Sequence, residues 1–316
     1  MQKVYSVSRS WLSELRNLIV DSLEKSWLPF PMDGGVCESW KKGLDSNPSG
    51  PVLYTSCLYH LAPVIEKAVE NLERFGVTEG GLRGRFAAIA AKTVGRLILK
   101  PEEEEVARAD NVMKRIYRLL AQRGIKVRLL DREIYSGALL YELGFEKEFA
   151  EYAKRVATFF KERGVKEIIT VDPHTHYILE KVYPRYVSDF DIKISSYLDY
   201  IKETGVSLKG FAIHDSCLYA RFLNRYDLIR QILAPGQPVE DPYYTGRETA
   251  GCCGGPIESI YPDVARKVAR LRVNDLSKLS KDVVVQCPIC YVNLKRAAEG
   301  RINLHYLPEI LTEATA

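Results

Sequence analysis

The chain has 316 residues, of which 46% are apolar, enough to bury the core of one large domain or of two ordinary ones. Its 45 basic and 41 acidic side chains nearly balance, which argues against nucleic acid as a partner, because dedicated binders usually concentrate a larger basic excess. The sequence contains neither the roughly 18–20 uninterrupted apolar residues of a membrane span nor the apolar stretch of a signal peptide. We therefore expect a cytoplasmic protein, with any attachment to a membrane complex made through a partner.

Residues 1–50 are predicted to form a helical amino-terminal extension. Six apolar residues repeat at helical spacing within residues 7–26, namely Trp11, Leu12, Leu15, Leu18, Ile19 and Leu23. This helix is expected to pack on the body of the protein, and docking onto a partner subunit is the alternative. Residues 33–50 are rich in turn formers and are predicted to be a connecting loop that contains Cys37.

From residue 51 onward, predicted strands alternate with predicted helices. The strands are expected at residues 52–57, 126–131, 167–172, 210–217 and 282–287. The helices are expected at residues 60–76, 100–124, 145–164, 218–233, 259–279 and 291–300. This alternation favours parallel sheets in an α/β fold.

The two halves of the chain also repeat each other. VLYTSCLY corresponds to AIHDSCLY, YSGALLYELG to CCGGPIESIY, and VDPHTHYIL to QCPICYVNL. We therefore predict two tandem, pseudo-symmetric α/β domains that face each other, at residues 51–205 and 206–316. The first is longer because of a helical insertion near residues 77–120.

Five of the seven cysteines form one pattern in the second half. They are Cys217, the adjacent pair Cys252 and Cys253 followed by Gly254, and Cys287 and Cys290 in a Cys-Pro-Ile-Cys sequence. Each group lies where a predicted strand ends or a loop leads into a helix, and these positions converge at one edge of a parallel sheet. Gly254 has no side chain, so the backbone can approach a bound group there.

Thiolates suit both iron–sulfur clusters and zinc. A structural zinc uses four ligands, whereas adjacent cysteines can bind different irons of a cluster, so the pattern favours a cluster. A structural zinc module is the alternative. Because cytoplasmic thiols stay reduced, no disulfide framework is expected.

At these residues the sequence resembles the cysteine-rich CCG-domain family, which includes the B subunit of heterodisulfide reductase and related iron–sulfur oxidoreductase subunits. The resemblance implies two Rossmann-like domains and a non-cubane [4Fe-4S] cluster. It also implies electron transfer, which in some members splits a disulfide at the cluster. The five cysteines named above would be the ligands.

The first half departs from the family pattern. It has Tyr135-Ser136-Gly137 and Asp172-Pro173-His174-Thr175 at the motif positions and retains only Cys57. We therefore predict one cluster, with a cavity opposite it. Ser136, His174 and His176 are the candidate catalytic residues, which would bind a substrate anion, relay protons or ligate a second metal. The alternative is that they are relics held in a loop by hydrogen bonds.

Two further residues are ambiguous. His214 would either hydrogen-bond a cluster sulfide or fill the core, and Cys37 would be an unused thiol or would cap the cluster.

A single cluster needs an electron donor and an acceptor. The leading hypothesis is an oxidoreductase subunit that moves electrons between a ferredoxin-like or flavin-containing partner and a small substrate. By resemblance, that substrate is a disulfide or thiol, and oxidation of a hydroxy acid stays open. The alternative of another class is a pure electron-relay subunit of a respiratory-type complex.

Overall fold

Two three-stranded parallel sheets organise the protein, whose computed structural model describes residues 9–75, 100–202, 204–240 and 246–312. The first sheet has the order β1-β2-β3, and the second has the order β5-β6-β7. Their strands are β1 (Val52–Tyr54), β2 (Glu167–Thr170), β3 (Lys193–Ser196), β5 (Ala212–His214), β6 (Asp282–Val285) and β7 (Asn303–Tyr306). Two short strands, β4 (Gly205–Val206) and β8 (Leu311–Thr312), pair in antiparallel fashion.

The two sheets are built alike. Val52 of β1 pairs with Ile168 of β2, and Ala212 of β5 pairs with Val283 of β6. Each sheet also has one additional parallel bridge on its first strand, to Arg128 in the first half and to Val239 in the second. The predicted pseudo-symmetric α/β fold is therefore confirmed, while the domain boundaries stay predictions.

The described helices agree largely with the predicted ones. The main α-helices are α1 (Arg9–Ser26), α2 (Leu58–Phe75), α3 (Glu103–Gln122), α4 (Ala138–Glu142), α5 (Glu146–Glu162), α6 (Pro173–Tyr177), α7 (Tyr183–Tyr186), α8 (Tyr226–Leu233), α9 (Pro262–Ser277), α10 (Pro288–Ala298) and α11 (Leu307–Ile310). Helix α3 belongs to the predicted insertion, whose residues 76–99 lie outside the described part of the chain. Among the helices in the described ranges, none combines the length and the apolar character that crossing a bilayer requires.

Two predicted elements differ in the structure. Residues 126–131 are not a full strand, because the connecting loop takes part of their hydrogen bonding: Asn47 N donates to Val127 O, and Leu129 N donates to Ser46 Oγ. Residues 218–233 are not one helix. A π-helical turn at Leu218–Phe222 ends before Asn224, whose φ of 51° breaks the helical path ahead of α8.

Helix α1 packs on the body of the protein, as predicted. Trp11, Leu15, Ile19 and Leu23 are buried along its inner face. The Trp11 indole Nε1 donates to the Ser259 carbonyl at 3.1 Å, in the second half of the chain. The extension therefore contacts the loop that follows the Cys-Cys-Gly sequence.

The connecting loop corrects the prediction for Cys37, and it adds one disulfide to a chain in which no disulfide framework was expected. Short 3₁₀ helices at Gly34–Cys37 and Ser39–Lys41 turn the loop back onto the start of α2. Cys37 is thereby bonded to Cys57 in a disulfide, with Cα atoms 5.2 Å apart. Cys37 is thus neither a free thiol nor a cap for the other five cysteines.

Candidate metal centre and adjoining cleft

The Cys-Pro-Ile-Cys sequence forms a strand-to-helix turn at the carboxyl end of β6. Cys287 has an extended backbone and precedes α10, with Pro288 in the first turn, where proline is favourable. The Cys287 Sγ accepts a hydrogen bond from Cys290 N at 3.4 Å. Both cysteines are buried, and the turn directs their sulfurs to the same side of the helix terminus.

The Cys-Cys-Gly sequence lies against α9 and depends on its glycine. Gly254 has a φ of +94°, and a Cβ built on it would lie 2.5 Å from the Ala265 carbonyl oxygen. Its N–H donates to Cys252 Sγ at 3.3 Å. A side chain at Gly254 would therefore push the loop and both cysteines away from α9.

The five cysteines come together at one edge of the second sheet. Cys217 follows β5 and is partly exposed, and it interacts electrostatically with Cys253 and Cys287. Cys253 hydrogen-bonds Cys252 and Cys290. One ligand atom from each of His214, Cys253 and Cys290 lies within 4.8 Å of the other two. The structure thus places all five predicted ligands in one group.

Charge within this group is unevenly distributed. Hydrogen bonds from Cys252, Cys290 and His214 hold the pKa of Cys253 well below its usual range. Burial acts to raise the pKa of Cys287, but hydrogen bonds with Cys290 and His174 outweigh it and bring the pKa to about 7. Because metals bind thiolates rather than thiols, these two sulfurs are already prepared to bind one.

A buried cation next to the cysteines tests whether they suit an anionic group. Arg272 is 2% exposed, and its Nε donates to His214 Nδ1 at 3.0 Å. Its two Nη atoms have no hydrogen-bond partner among the residues that the structure describes, while His214 itself hydrogen-bonds Cys253. An unpaired buried cation is costly, and a negatively charged sulfur cluster would compensate it. The residues therefore fit an iron–sulfur cluster.

The equivalent turn in the first half keeps the geometry and loses the sulfur. Asp172 precedes α6, and its Oδ1 accepts from Thr175 N at 2.9 Å, as Cys287 accepts from Cys290. The Ser136 Oγ, Asp172 Oδ2 and Thr175 Oγ1 atoms are buried without a partner in the described ranges. Burial raises the pKa of Asp172 to about 6. Oxygen atoms thus replace the thiolates.

The three candidate catalytic residues occupy different environments. His174 Nδ1 hydrogen-bonds Glu142 Oε1 at 2.6 Å. The His174 ring also hydrogen-bonds the side chain of Cys287, which lies in the second half of the chain. His176 turns away, to Thr170 Oγ1 at 2.8 Å and to Glu180. Ser136 is fully buried, and its backbone N–H donates to Ser56 Oγ at 2.8 Å. His174 is thus the one that reaches the cysteine group.

A cleft joins His174 to the cysteine loops. Its walls come from α1, the first half and the Cys-Cys-Gly loop, and are mostly apolar. The residues that line it are Leu15, Phe30, Leu58, Ile65, Tyr135, Leu139, Glu142, His174, Pro256, Glu258, Ser259 and Ile289. Ser136 and His176 are not among them.

Glu142, Glu258 and Arg272 were missed by sequence reasoning. Glu258 is 3% exposed, its Oε2 has no partner within the described residues, and burial raises its pKa to about 8. The sequence did offer one signal for the two glutamates. Glu142 follows Gly137, and Glu258 follows Gly254, by about one helical turn, and the residues around each glutamate are mostly apolar. Nothing local distinguished Arg272 from other arginines of α9.

Comparison with known proteins supports this site. The family described as "CCG: Cysteine-rich domain" matches residues 102–180 and 211–295, which is more than half of the chain. The second match contains all five cysteines of the site. The first covers the turn in which oxygen atoms replace them.

Three relatives illustrate the range of proteins that the chain resembles. It is 25% identical over 227 residues to the "Probable iron-sulfur-binding oxidoreductase FadF" of Bacillus subtilis, covering 66% of this chain and 32% of that protein. It is 26% identical over 224 residues to the B subunit of fumarate reductase (CoM/CoB) of Methanothermobacter marburgensis, covering 66% and 44%. It is 27% identical over 209 residues to "EtfAB:quinone oxidoreductase" of Syntrophomonas wolfei, covering 58% and 28%.

The chain spans less than half the length of each of these relatives. The two matches to the family and the assembled cysteine group lead to one conclusion: the chain belongs to the cysteine-rich CCG-domain family of iron–sulfur oxidoreductases.

Proposed function

We propose that the chain is an iron–sulfur subunit of an oxidoreductase and that it passes electrons between a redox partner and a small substrate. The observation that supports this best is the buried Arg272 next to five clustered cysteines, because its two Nη atoms have no hydrogen-bond partner in the part of the chain that the structure describes. Cys217, Cys252, Cys253, Cys287 and Cys290 would hold one [4Fe-4S] cluster of the non-cubane kind. When bound, the cluster supplies one-electron transfer.

The substrate would bind in the cleft, because the cleft ends at a residue that touches a cysteine of the site. His174 lines the cleft and hydrogen-bonds Cys287. The cleft has only about 30 Å³ of free space, so its apolar walls would move apart to admit a substrate and would exclude water around it. The substrate would thus lie on one side of His174, and the iron–sulfur cluster would lie on the other.

A disulfide is the substrate that we propose, as in heterodisulfide reductase. Its reduction to two thiols consumes two electrons and two protons. Two proton-holding side chains line the cleft: His174, oriented by Glu142, and the buried carboxyl of Glu258. Each would hold a proton for one leaving thiolate. The electrons would come from a ferredoxin-like or flavin-containing partner.

Iron and acid-labile sulfide analysis, with an EPR spectrum, tests the cofactor on anaerobically purified protein. We expect about four irons and four sulfides per chain, and loss of both in Cys253→Ser. About eight irons would mean that the first half also binds a cluster. Zinc without iron would overturn the oxidoreductase proposal in favour of a structural zinc module.

Turnover of a disulfide with a chemical electron donor tests the cleft. We expect His174→Gln to lower kcat by about 10²-fold or more while iron content stays unchanged. His305→Gln is the matched control, because His305 lies on β7 and pairs with Asp282. If His174→Gln turns over the disulfide like the unaltered protein, His174 has no part in the reaction. If both proteins pass electrons to a redox partner equally well and neither reduces the disulfide, the chain is a pure electron relay.

A further inference from the structure

We propose that Cys37 and Cys57 form a second redox centre, a reversible dithiol–disulfide couple in the half of the chain that lacks the cysteine motif. The two sulfurs are bonded, and both residues are fully buried. Cys57 stands at the repeat position of Cys217, because it follows β1 of the first sheet as Cys217 follows β5 of the second. A sulfur couple that exchanges two electrons thus lies in the first half, at the position that corresponds to Cys217 in the second.

The position of Cys57 stabilises its reduced form. The Cys57 carbonyl accepts from Leu61 N at 2.9 Å, the first hydrogen bond of α2, so its side chain lies at the amino terminus of an 18-residue helix. A helix amino terminus favours a negative charge and lowers the pKa of a cysteine placed there. A thiolate that is stabilised in this way is the better leaving group when the disulfide is attacked.

The segment that carries Cys37 is anchored independently of the disulfide. Lys41 Nζ pairs with the buried Glu133 at 2.9 Å and donates to the Leu130 carbonyl. Ser39 Oγ donates to Asp110 Oδ1 at 2.6 Å. These contacts keep the segment in place when the bond opens, so both redox states can share one fold.

The chemistry balances with a dithiol as reductant. A thiolate of the reductant attacks Cys37 Sγ, the bond to Cys57 breaks, and the Cys57 thiolate leaves and takes up a proton. The second thiol of the reductant then displaces Cys37, which leaves as a thiol, and the reductant ends as its own disulfide. Because both sulfurs are buried, a reductant reaches Cys37 Sγ only when the short 3₁₀ helix Gly34–Cys37 opens, and this helix begins in the exposed residues Asp33 to Gly35.

Counting free thiols by mass spectrometry tests the couple. The folded protein is equilibrated anaerobically with graded ratios of reduced and oxidised dithiothreitol. It is then precipitated in acid, washed free of reagent and released sulfide, and alkylated in denaturant. Without reductant, we expect five of the seven cysteines to be alkylated and a peptide linking residues 37 and 57. As the ratio rises, the count should reach seven in one two-electron step.

Two variants make the result specific to this pair. In Cys37→Ser and in Cys57→Ser, we expect all six remaining cysteines to be alkylated without reductant, at unchanged iron content. Seven alkylated cysteines in the untreated protein would overturn the proposal. So would a pair that stays oxidised at every ratio and yields only after denaturation, since that is a structural disulfide. Neither result depends on whether the cluster or its substrate has been identified correctly.

Discussion

Arg272 has the clearest electrostatic consequence of any single side chain near the cysteines. Its guanidinium is buried, and both Nη atoms lack a hydrogen-bond partner within the described ranges. It interacts electrostatically with Asp215 and Asp275 first, and then with Cys290 and Cys253. Because a positive charge stabilises the more negative, reduced state of a nearby cluster, we expect Arg272→Met to lower the reduction potential. A shift on the order of 50–100 mV follows for one desolvated charge.

An EPR-monitored redox titration would measure this shift in samples with matched iron content. Arg272→Lys is the control, because it keeps the charge and should retain most of the potential. An unchanged potential in Arg272→Met at full iron loading would contradict the electrostatic role.

Glu258 predicts a pH dependence of stability. Burial raises its pKa to about 8, from an ordinary value of 4.5, so the folded protein holds this proton where the unfolded chain releases it. The contribution is present in full below about pH 4.5 and is lost as the pH rises towards 8. The loss is on the order of 4 kcal/mol across that interval.

Urea unfolding at several pH values would detect this effect. We expect Glu258→Gln to flatten the decline in the free energy of unfolding between pH 5 and about 8. The exposed Glu248→Gln should leave the decline as it is. Equal slopes for the two variants would show that the buried carboxyl does not titrate as described.

These residues also mark what the sequence could and could not predict about the site. The five cysteines were identifiable because the chemistry depends on residue type and spacing along the chain. Arg272 and Glu258 are ordinary residues by type, and only tertiary packing buries them. His174 and His176 are close in sequence, yet two positions along a helix turn side chains in different directions, so their separation needed coordinates.

Among the elements, the Cys-Cys-Gly loop has the least freedom to change. Gly254 combines a φ of +94° with a close approach to the Ala265 carbonyl, whereas Gly300 has a φ of +76° and a Cβ built on it would meet nothing within 4 Å. We therefore expect Gly254→Ala to cost roughly 2–4 kcal/mol and Gly300→Ala about 1 kcal/mol.

Thermal unfolding and iron content would separate the two glycines. Gly254→Ala should lower the Tm and release iron, because the loop that carries Cys252 and Cys253 must move. Gly300→Ala should keep its iron. Retention of full iron by Gly254→Ala would mean that the loop does not need its contact with α9.

The sequence predicted strands correctly where both faces of the strand are buried. β2 and β6 are continuous apolar runs, and their residues are buried on both sides. β3 and β7 were missed because they lie at sheet edges and mix polar with apolar residues, as in Lys193 and Asn303, which are exposed. The sequence of an edge strand carries little of the signal that burial imposes.

Across the whole molecule, charged side chains hold the two halves together. Arg108 of α3 makes a two-pronged ion pair with Glu309 of α11, at 2.6 and 2.7 Å, and also donates to the Tyr291 hydroxyl. Lys295 of α10 pairs with Glu66 and with Glu105 from the first half. Helix α3 of the predicted insertion therefore contacts the second half of the chain, which carries the five cysteines.

Removal of Arg108 tests whether this interface supports the metal site. The guanidinium lies 4.5 Å from the centre of the Tyr291 ring, and Tyr291 directly follows Cys290. We expect Arg108→Met to lower the free energy of unfolding by roughly 1–3 kcal/mol, because Glu309 loses a half-buried partner that binds it through two charge-assisted hydrogen bonds. Arg16→Met is the control, since its pair with Glu148 is exposed and should contribute less than about 1 kcal/mol.

Because Tyr291 lies in the first turn of α10, the Arg108 variant should also lose iron faster under chelation. Equal rates of iron loss in both variants would mean that the second half holds its metal without help from the first.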